Sequence, residues 1–201
     1  NQNQQAKIEQ NIGNARFLWN AFLGMANERY KNNPRLPALS KYDYNNLLPV
    51  MKNEHNFPFL KASESTSLQI VSENLHNAFK QFFLGKRGYP NFKSKHRTTP
   101  SYTMRNTNNN VELSSSAIKV PKLGWMPARW SSNTDIVNIK RVTITRQPTG
   151  SYVASLIVES ESQSFDKTGK AIGLDMGQSD LLVGSDGYIA NTKRYNQYED
   201  K

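Results

Sequence analysis

Apolar residues at Ile8, Ile12, Ala15, Leu18, Trp19, Phe22, Met25, Ala26 and Tyr30 keep the three-and-four spacing of one helical face. The pattern predicts a long amphipathic helix over residues 4–31, ended by Asn32-Asn33-Pro34. Ser40, with Asp43 three residues later, resembles a capping box, so a second helix is expected through about Asn53, kinked or shortened at Pro49. Ser63 can cap a third helix that turns Leu68, Val71, Leu75, Phe79 and Phe82 inward and runs to about Leu84. Three helices joined by short connections predict a small bundle, with the aromatic stripe as its core.

The pattern changes at Gly85-Lys86-Arg87-Gly88-Tyr89-Pro90, where turn-forming residues break the helical period. Beyond it, residues 102–105, 111–113, 117–120, 137–147 and 152–159 are strand-like, and Pro148-Thr149-Gly150 joins the last two as a hairpin. Many short strands without a helical period predict a small β-barrel or sandwich. Ser160 to Lys170 is polar and reads as a linker. From Lys170 to Ala190 an apolar run carries Asp175 between Gly173 and Gly177, and an alternating segment then meets Asp186-Gly187. This predicts a strand ending in a carboxylate, followed by a hairpin.

A chain of 201 residues is long enough to bury one large core or two small ones. No apolar run approaches the ~18 residues of a membrane span, so the expectation is a soluble protein without a membrane partner. Cysteine is absent, which excludes disulfides and thiolate metal sites from these residues. The formal net charge of +10 becomes informative once it is located. From Lys86 to Arg146 twelve Lys and Arg face two acids, Glu112 and Asp135, while the rest of the chain holds fourteen of each sign (26 minus 12, and 16 minus 2). The whole excess therefore sits in one central segment, the electrostatic footprint expected for contacts to a phosphate backbone.

Three constellations could carry chemistry. Asp175 at a strand end suits a first Mg²⁺ ligand, because magnesium favours hard oxygen donors, and it equally suits a turn cap. Asn106-Thr107-Asn108-Asn109-Asn110 suits either hydrogen bonds to base edges or a polar turn. Tyr89, Phe92, Tyr102, Trp125 and Trp130 lie among the basic residues, where they could stack on bases or form core. His55, His76 and His96 have no metal-ligand spacing, and there is no Walker loop, nucleophile elbow or dinucleotide fingerprint.

Several stretches together resemble one family, the TnpB proteins of bacterial insertion sequences, which are RNA-guided DNA endonucleases related to type V CRISPR effectors. They are Asn14-Ala15-Arg16-Phe17-Leu18-Trp19-Asn20, Asn77-Ala78-Phe79-Lys80-Gln81-Phe82-Phe83, Gly88-Tyr89-Pro90-Asn91-Phe92-Lys93, Thr107-Asn108-Asn109-Asn110, Val120-Pro121-Lys122-Leu123-Gly124-Trp125, and Gly173-Leu174-Asp175-Met176-Gly177 before Asp186-Gly187. The resemblance implies an α+β chain: a helical recognition bundle (1–92) inserted in a β-barrel wedge domain (93–167), followed by the first strands of an RNase H-like RuvC nuclease domain (168–201).

It further implies that the protein binds a guide RNA, recognises a short motif beside its target in double-stranded DNA, and cleaves with a two-Mg²⁺ RuvC site. Positions resembling the motif readers are Gln69, Thr107 and Asn108, with Lys41, Asn45 and Ser65. Amides suit adenine edges and a threonine methyl suits thymine, so an A/T-containing motif is expected. Lys86, Arg87, Lys93, Lys95, Arg97, Arg105 and Lys122 are the expected nucleic-acid backbone contacts. Asp175 resembles the first RuvC carboxylate, the family's other two carboxylates and its zinc element being expected after Lys201. A family strand expected before the first helix is also missing, in keeping with the lack of an initiator Met. Ser179 departs from the Lys often found in the family. The alternative is a nuclease-dead relative acting as an RNA-guided DNA-binding repressor. Either would be cytoplasmic and associated with the bacterial nucleoid.

Overall fold

The computed structural model of the protein describes residues 1–53, 57–131, 136–161, 168–177 and 180–191. His55, Asp135, Ser179 and residues 162–167 of the expected linker lie outside them. The chain divides into two units, Asn1–Glu161 and Ser162–Lys201.

The first unit opens with α1, a 31-residue helix over Gln2–Asn32. α2 spans Lys41–Asn53 and α3 spans Ser65–Phe83, with a short 3-10 turn over Pro58–Ala62 between them. Two antiparallel three-stranded sheets follow. One has the order β1-β5-β6, from Ser101–Arg105, Asn138–Arg146 and Tyr152–Glu159; the other has the order β2-β3-β4, from Glu112–Leu113, Ala117–Val120 and Gly124–Pro127.

Two apolar cores form, and α1 belongs to both. Leu18, Trp19, Phe22 and Leu23 pack with Tyr44, Leu48 and Met51 of α2 and with Leu68, Val71, Leu75 and Phe79 of α3. One to three turns earlier, Ile8 and Ile12 pack instead with Tyr102, Met104, Ile118, Val120, Val142 and Ile144 of the sheets. Polar contacts follow the same division. Gln4 Nε2 donates to the carbonyls of Leu123 (3.0 Å) and Trp125 (2.8 Å), and Glu9 accepts from Tyr152 Oη (2.9 Å) and pairs with Arg146. Asn14 Nδ2 donates to Ser63 Oγ at 2.8 Å in the buried entry to α3.

Three expectations change. The strands do not close into a barrel among the described residues. Closure needs two hydrogen-bonded neighbours for every strand, but β2 has two residues and Pro127 removes a donor from edge strand β4. Helix α2 runs through Pro49, although that residue offers no N–H to the Asn45 carbonyl. Burial of Tyr44, Leu48 and Met51 on either side holds the helix, while Pro49 itself faces solvent. Glu64, not Ser63, caps α3, its carboxylate accepting from Ser67 N at 2.8 Å, because the Ser63 hydroxyl is taken by Asn14.

The Ser40–Asp43 capping box forms as expected, with Ser40 N donating to Asp43 Oδ2 (2.8 Å) and Asp43 N to Ser40 Oγ (3.3 Å). Those bonds hold the Asp43 carboxyl below the usual carboxylate range, the backbone N–H acting most strongly. Burial pushes the Tyr44 hydroxyl up to about 12, so it stays neutral inside the core.

The second unit contains an antiparallel sheet of order β7-β8-β9, from Leu174–Asp175, Asp180–Gly184 and Ile189–Asn191. Asp175 pairs with Val183. The expected hairpin is present: Gly184 N donates to Tyr188 O (2.7 Å), Tyr188 N to Asp186 Oδ1 (3.0 Å), and Gly187 has a φ of +86°. Glycine takes that left-handed conformation without steric cost.

Phe22 is fully buried, whereas Tyr30, on the face expected to turn inward, is 65% exposed. In urea denaturation Phe22→Ala is expected to cost about 3–5 kcal/mol, and Tyr30→Ala to stay within about 0.5 kcal/mol of wild type. Asp43 has a lowered folded pKa, so its contribution is present above the unfolded pKa and is lost as pH falls through the folded one. The stability difference between wild type and Asp43→Ala, measured by melting against pH, should be full at neutral pH and fade in acid.

Candidate nucleic-acid interface

The basic segment does not present all of its charge. Five of its twelve cations pair within the protein: Arg105 and Arg141 with Glu73, Lys119 with Glu112, Lys140 with Glu159, and Arg146 with Glu9. Lys122 donates its Nζ to the carbonyls of Lys61 (2.8 Å) and Ser63 (2.6 Å). Lys93 holds its ammonium 4.1 Å from the Trp19 ring centroid, and burial lowers its pKa. Lys86, Arg87, Lys95, Arg97 and Arg129 are exposed and make no ion pair among the described residues. Four of these five fall within residues 86–97. Of the expected backbone contacts, Lys86, Arg87, Lys95 and Arg97 thus carry uncommitted charge, whereas Lys93, Arg105 and Lys122 are already engaged.

Local structure explains how the free charges are held out. Ser94 Oγ accepts from the backbone N–H groups of His96 (3.2 Å) and Arg97 (3.3 Å), while Thr98 N donates to Ser94 O (3.2 Å). This hydroxyl-capped turn projects Lys95 and Arg97 into solvent. The segment before it is fastened to α1. Trp19 Nε1 donates to Asn91 O (3.0 Å), and the Asn20 side chain both accepts from Lys93 N (2.7 Å) and donates to Lys93 O (2.9 Å).

The asparagine-rich stretch is a built loop. Asn110 N donates to Thr107 O (3.2 Å) across Asn108 and Asn109, each with φ +53°, the signature of a type I′ turn. Asn106 Oδ1 accepts from Val111 N (3.0 Å) and Asn110 Oδ1 from Thr107 N (3.3 Å). The cluster therefore divides by role: Asn106 and Asn110 close the loop, while Thr107, Asn108 and Asn109 are exposed at its tip.

The loop starts beside α3. Arg105 N donates to Thr66 Oγ1 (3.0 Å) and the Arg105 guanidinium pairs with Glu73. Thr66 and Glu73 lie three and four residues either side of Gln69, on the same helical face. The fold thus tethers Thr107 and Asn108 next to the face bearing Gln69, with Ser65 four residues before Gln69 and exposed. Lys41 and Asn45 share a face of α2, and no hydrogen bond among the described residues joins them to the loop. Of the aromatic residues, Phe92 and Trp125 are exposed, Tyr102 is core, Trp130 donates to Ser114 O (2.8 Å), and Tyr89 donates to Asn27 Oδ1 (2.6 Å).

Asp175 is exposed at the end of β7. No group of three or more His, Cys, Asp or Glu placed to hold a metal occurs among the described residues. One carboxylate supplies one oxygen donor set and cannot hold two Mg²⁺ ions, so the residues present do not by themselves fit the two-metal site. Sequence reasoning also passed over Arg16, which lines a cleft with Lys93 and Arg97. Its signal was a charged residue four positions after Ile12 and four before Asn20, inside a helix read for its apolar face.

Asn109→Gly should preserve or raise thermal stability, since glycine adopts the left-handed turn freely. Asn109→Val should lose about 1–2 kcal/mol by the same measurement.

Comparison with known proteins bears on this arrangement. Residues 1–35 match the family HTH_OrfB_IS605, described as a helix-turn-helix domain; here those residues are mostly one continuous helix. Two relatives carry the name "Putative RNA-guided DNA endonuclease". InsQ of Escherichia coli (strain K12) is 30% identical over 188 residues, 92% of this chain and 45% of its own length. A Streptomyces pristinaespiralis protein is 28% identical over 195 residues, 94% of this chain and 47% of its own length. The chain thus spans about half the length of these curated relatives.

Proposed function

We propose that this chain, which matches the HTH_OrfB_IS605 family over residues 1–35 and resembles relatives named as RNA-guided DNA endonucleases over most of its length, is the recognition portion of a TnpB-family RNA-guided DNA endonuclease, with guide RNA and double-stranded target DNA as its partners. The observation that carries this reading is the pairing of a tethered polar loop with a band of uncommitted charge. Thr107 and Asn108 stand at the tip of a loop fixed beside the Gln69 face, and Lys86, Arg87, Lys95 and Arg97 offer phosphate contacts. Base-edge donors and backbone-binding cations carried on one folded unit are the combination that sequence-selective DNA binding requires.

In this reading Gln69, Thr107 and Asn108 read the target-adjacent motif, with Ser65 beside them and Lys41 and Asn45 contributing from α2. The free cations hold RNA and DNA backbones in wedge and recognition domains. Arg105 and Lys122 act mainly by positioning, since Arg105 anchors the loop to α3 and Lys122 ties the second sheet to its entry. Asp175 supplies one carboxylate of a RuvC-type nuclease, the remaining metal ligands coming from outside residues 1–201. No catalytic step is assigned to the described residues.

Guided cleavage of a target plasmid by the full-length protein tests the reading. Asn108→Ala is expected to reduce cleavage by about ten- to a hundredfold, the equivalent of a lost base contact worth about 1–3 kcal/mol, and to relax the preference at one motif position. Asp175→Ala should abolish cleavage while leaving guided binding intact. Cleavage that survives Asp175→Ala would refute the nuclease assignment.

A further inference from the structure

Between α1 and residues 93–101 lies a cleft of about 420 Å³. Arg16, Lys93 and Arg97 line it together with the hydroxyl-bearing Thr98, Thr99 and Ser101, and no acid contributes to its wall. Ile12, Ala15 and Pro100 supply an apolar side. Neither Arg16 nor Arg97 is in an ion pair among the described residues. Arginines facing one cleft repel each other, and an ordinary surface would separate them or pair them with carboxylates. Five other cations of this unit are paired in that way.

The walls are also held rigidly. Asn20, one turn after Arg16 on α1, clamps the Lys93 backbone through both its donor and its acceptor. Ser94 Oγ fixes the turn that carries Arg97, and Thr98 Oγ1 accepts from Ser94 N at 3.2 Å. The Lys93 ammonium is kept over the Trp19 ring at a desolvation cost that an arriving anion would offset. Guanidinium groups bind phosphate oxygens through paired N–H donors, hydroxyls complete such sites, and an apolar wall suits the carbon face of a sugar. The volume exceeds that of an inorganic anion and suits a nucleotide unit.

We propose that this cleft is a built phosphodiester site, in which Arg16, Lys93 and Arg97 grip one backbone phosphate of the bound nucleic acid and set the register of the strand against α1. The site rests on the nucleic-acid-binding reading above, but it does not require that the protein cleave. It adds Arg16, from outside the basic segment, to the contact set, and gives engaged Lys93 a defined place.

Fluorescence anisotropy of a labelled single-stranded RNA and of a labelled duplex DNA, each titrated with the 201-residue chain over a range of salt, tests it. Arg16→Ala should weaken binding about tenfold, the loss of one charged hydrogen-bonded contact. It should also reduce the slope of log affinity against log salt by about 1. Arg16→Lys should restore the slope but not the whole affinity, because an ammonium does not bind in the paired manner. Arg97→Ala, at an exposed position, repeats the test without disturbing α1. A slope change with RNA, with DNA or with both supports the site and identifies its strand. Unchanged slopes for both alanine variants, in protein that keeps its melting temperature, overturn it, as does competition by inorganic phosphate alone with no polymer effect. If the chain shows the slope change while full-length protein performs no guided cleavage, the site stands and the endonuclease reading fails.

Discussion

Helix α1 is the member on which the first unit depends, because one continuous helix is buried in two different cores. Ile8 and Ile12 lie in the sheet core, and Leu18, Trp19, Phe22 and Leu23 in the helical core. Each such side chain contributes about 1.5–3 kcal/mol by burial, so neither core can release α1 without losing several of its members. The helix also carries most of the polar fasteners: Gln4 to the second sheet, Glu9 to β5 and β6, Asn14 to the start of α3, and Trp19 with Asn20 to the segment before β1. A rigid rod shared by two cores fixes the spacing between them. That spacing sets where the loop at Thr107–Asn110 stands relative to the charged turn at 94–98.

The same framework explains why formal charge overstates the available charge. Glu73 takes two arginines at the junction of α3 with the first sheet, and Glu9 takes Arg146 beside α1. These half-exposed pairs contribute modestly to stability, and their structural effect is to hold strands against helices. What remains uncommitted concentrates in the turn-rich stretch 86–97, where Ser94 Oγ accepts from the N–H groups of His96 and Arg97 and holds the turn that presents Lys95 and Arg97. Spending some cations on internal anchoring confines the rest to one stretch. A confined patch guides a polyanion to a defined track better than a uniformly basic surface does.

Much of this was legible in the sequence, and the gaps have physical causes. The helical periods located α1, α2 and α3 within a few residues, the Ser40–Asp43 box formed as its spacing demands, and Asp186-Gly187 made its hairpin. Local patterns of that kind report local structure. Tertiary competition is what they miss: Ser63 lost its capping role because Asn14, 49 residues earlier, claims its hydroxyl. Pro49 failed to break α2 because buried residues on both sides outweigh the missing bond. Barrel closure could not be judged from strand patterns, since it depends on which edges find partners. At the interface, the Asn106–Asn110 cluster was visible as a unit, but its division into loop-closing and outward-facing residues follows from the turn geometry. Arg16 was hidden by the apolar face that made α1 recognisable.

The second unit is marked by apolar side chains left on its surface. Ile172, Leu174, Met176, Leu181, Val183 and Ile189 are all exposed on or beside a sheet of three short strands. Leu181 and Val183 lie two apart on β8, on one face, and Leu174 is on the neighbouring strand β7. A sheet of this size is marginal in water without a covering layer. Strands buried on both faces of a sheet read as near-continuous apolar runs of this kind. Asp175, at the end of such a strand, is then a carboxylate whose useful orientation depends on the layers that cover the sheet. The first unit, by contrast, fixes its polar loop and its exposed cations through two cores of its own residues.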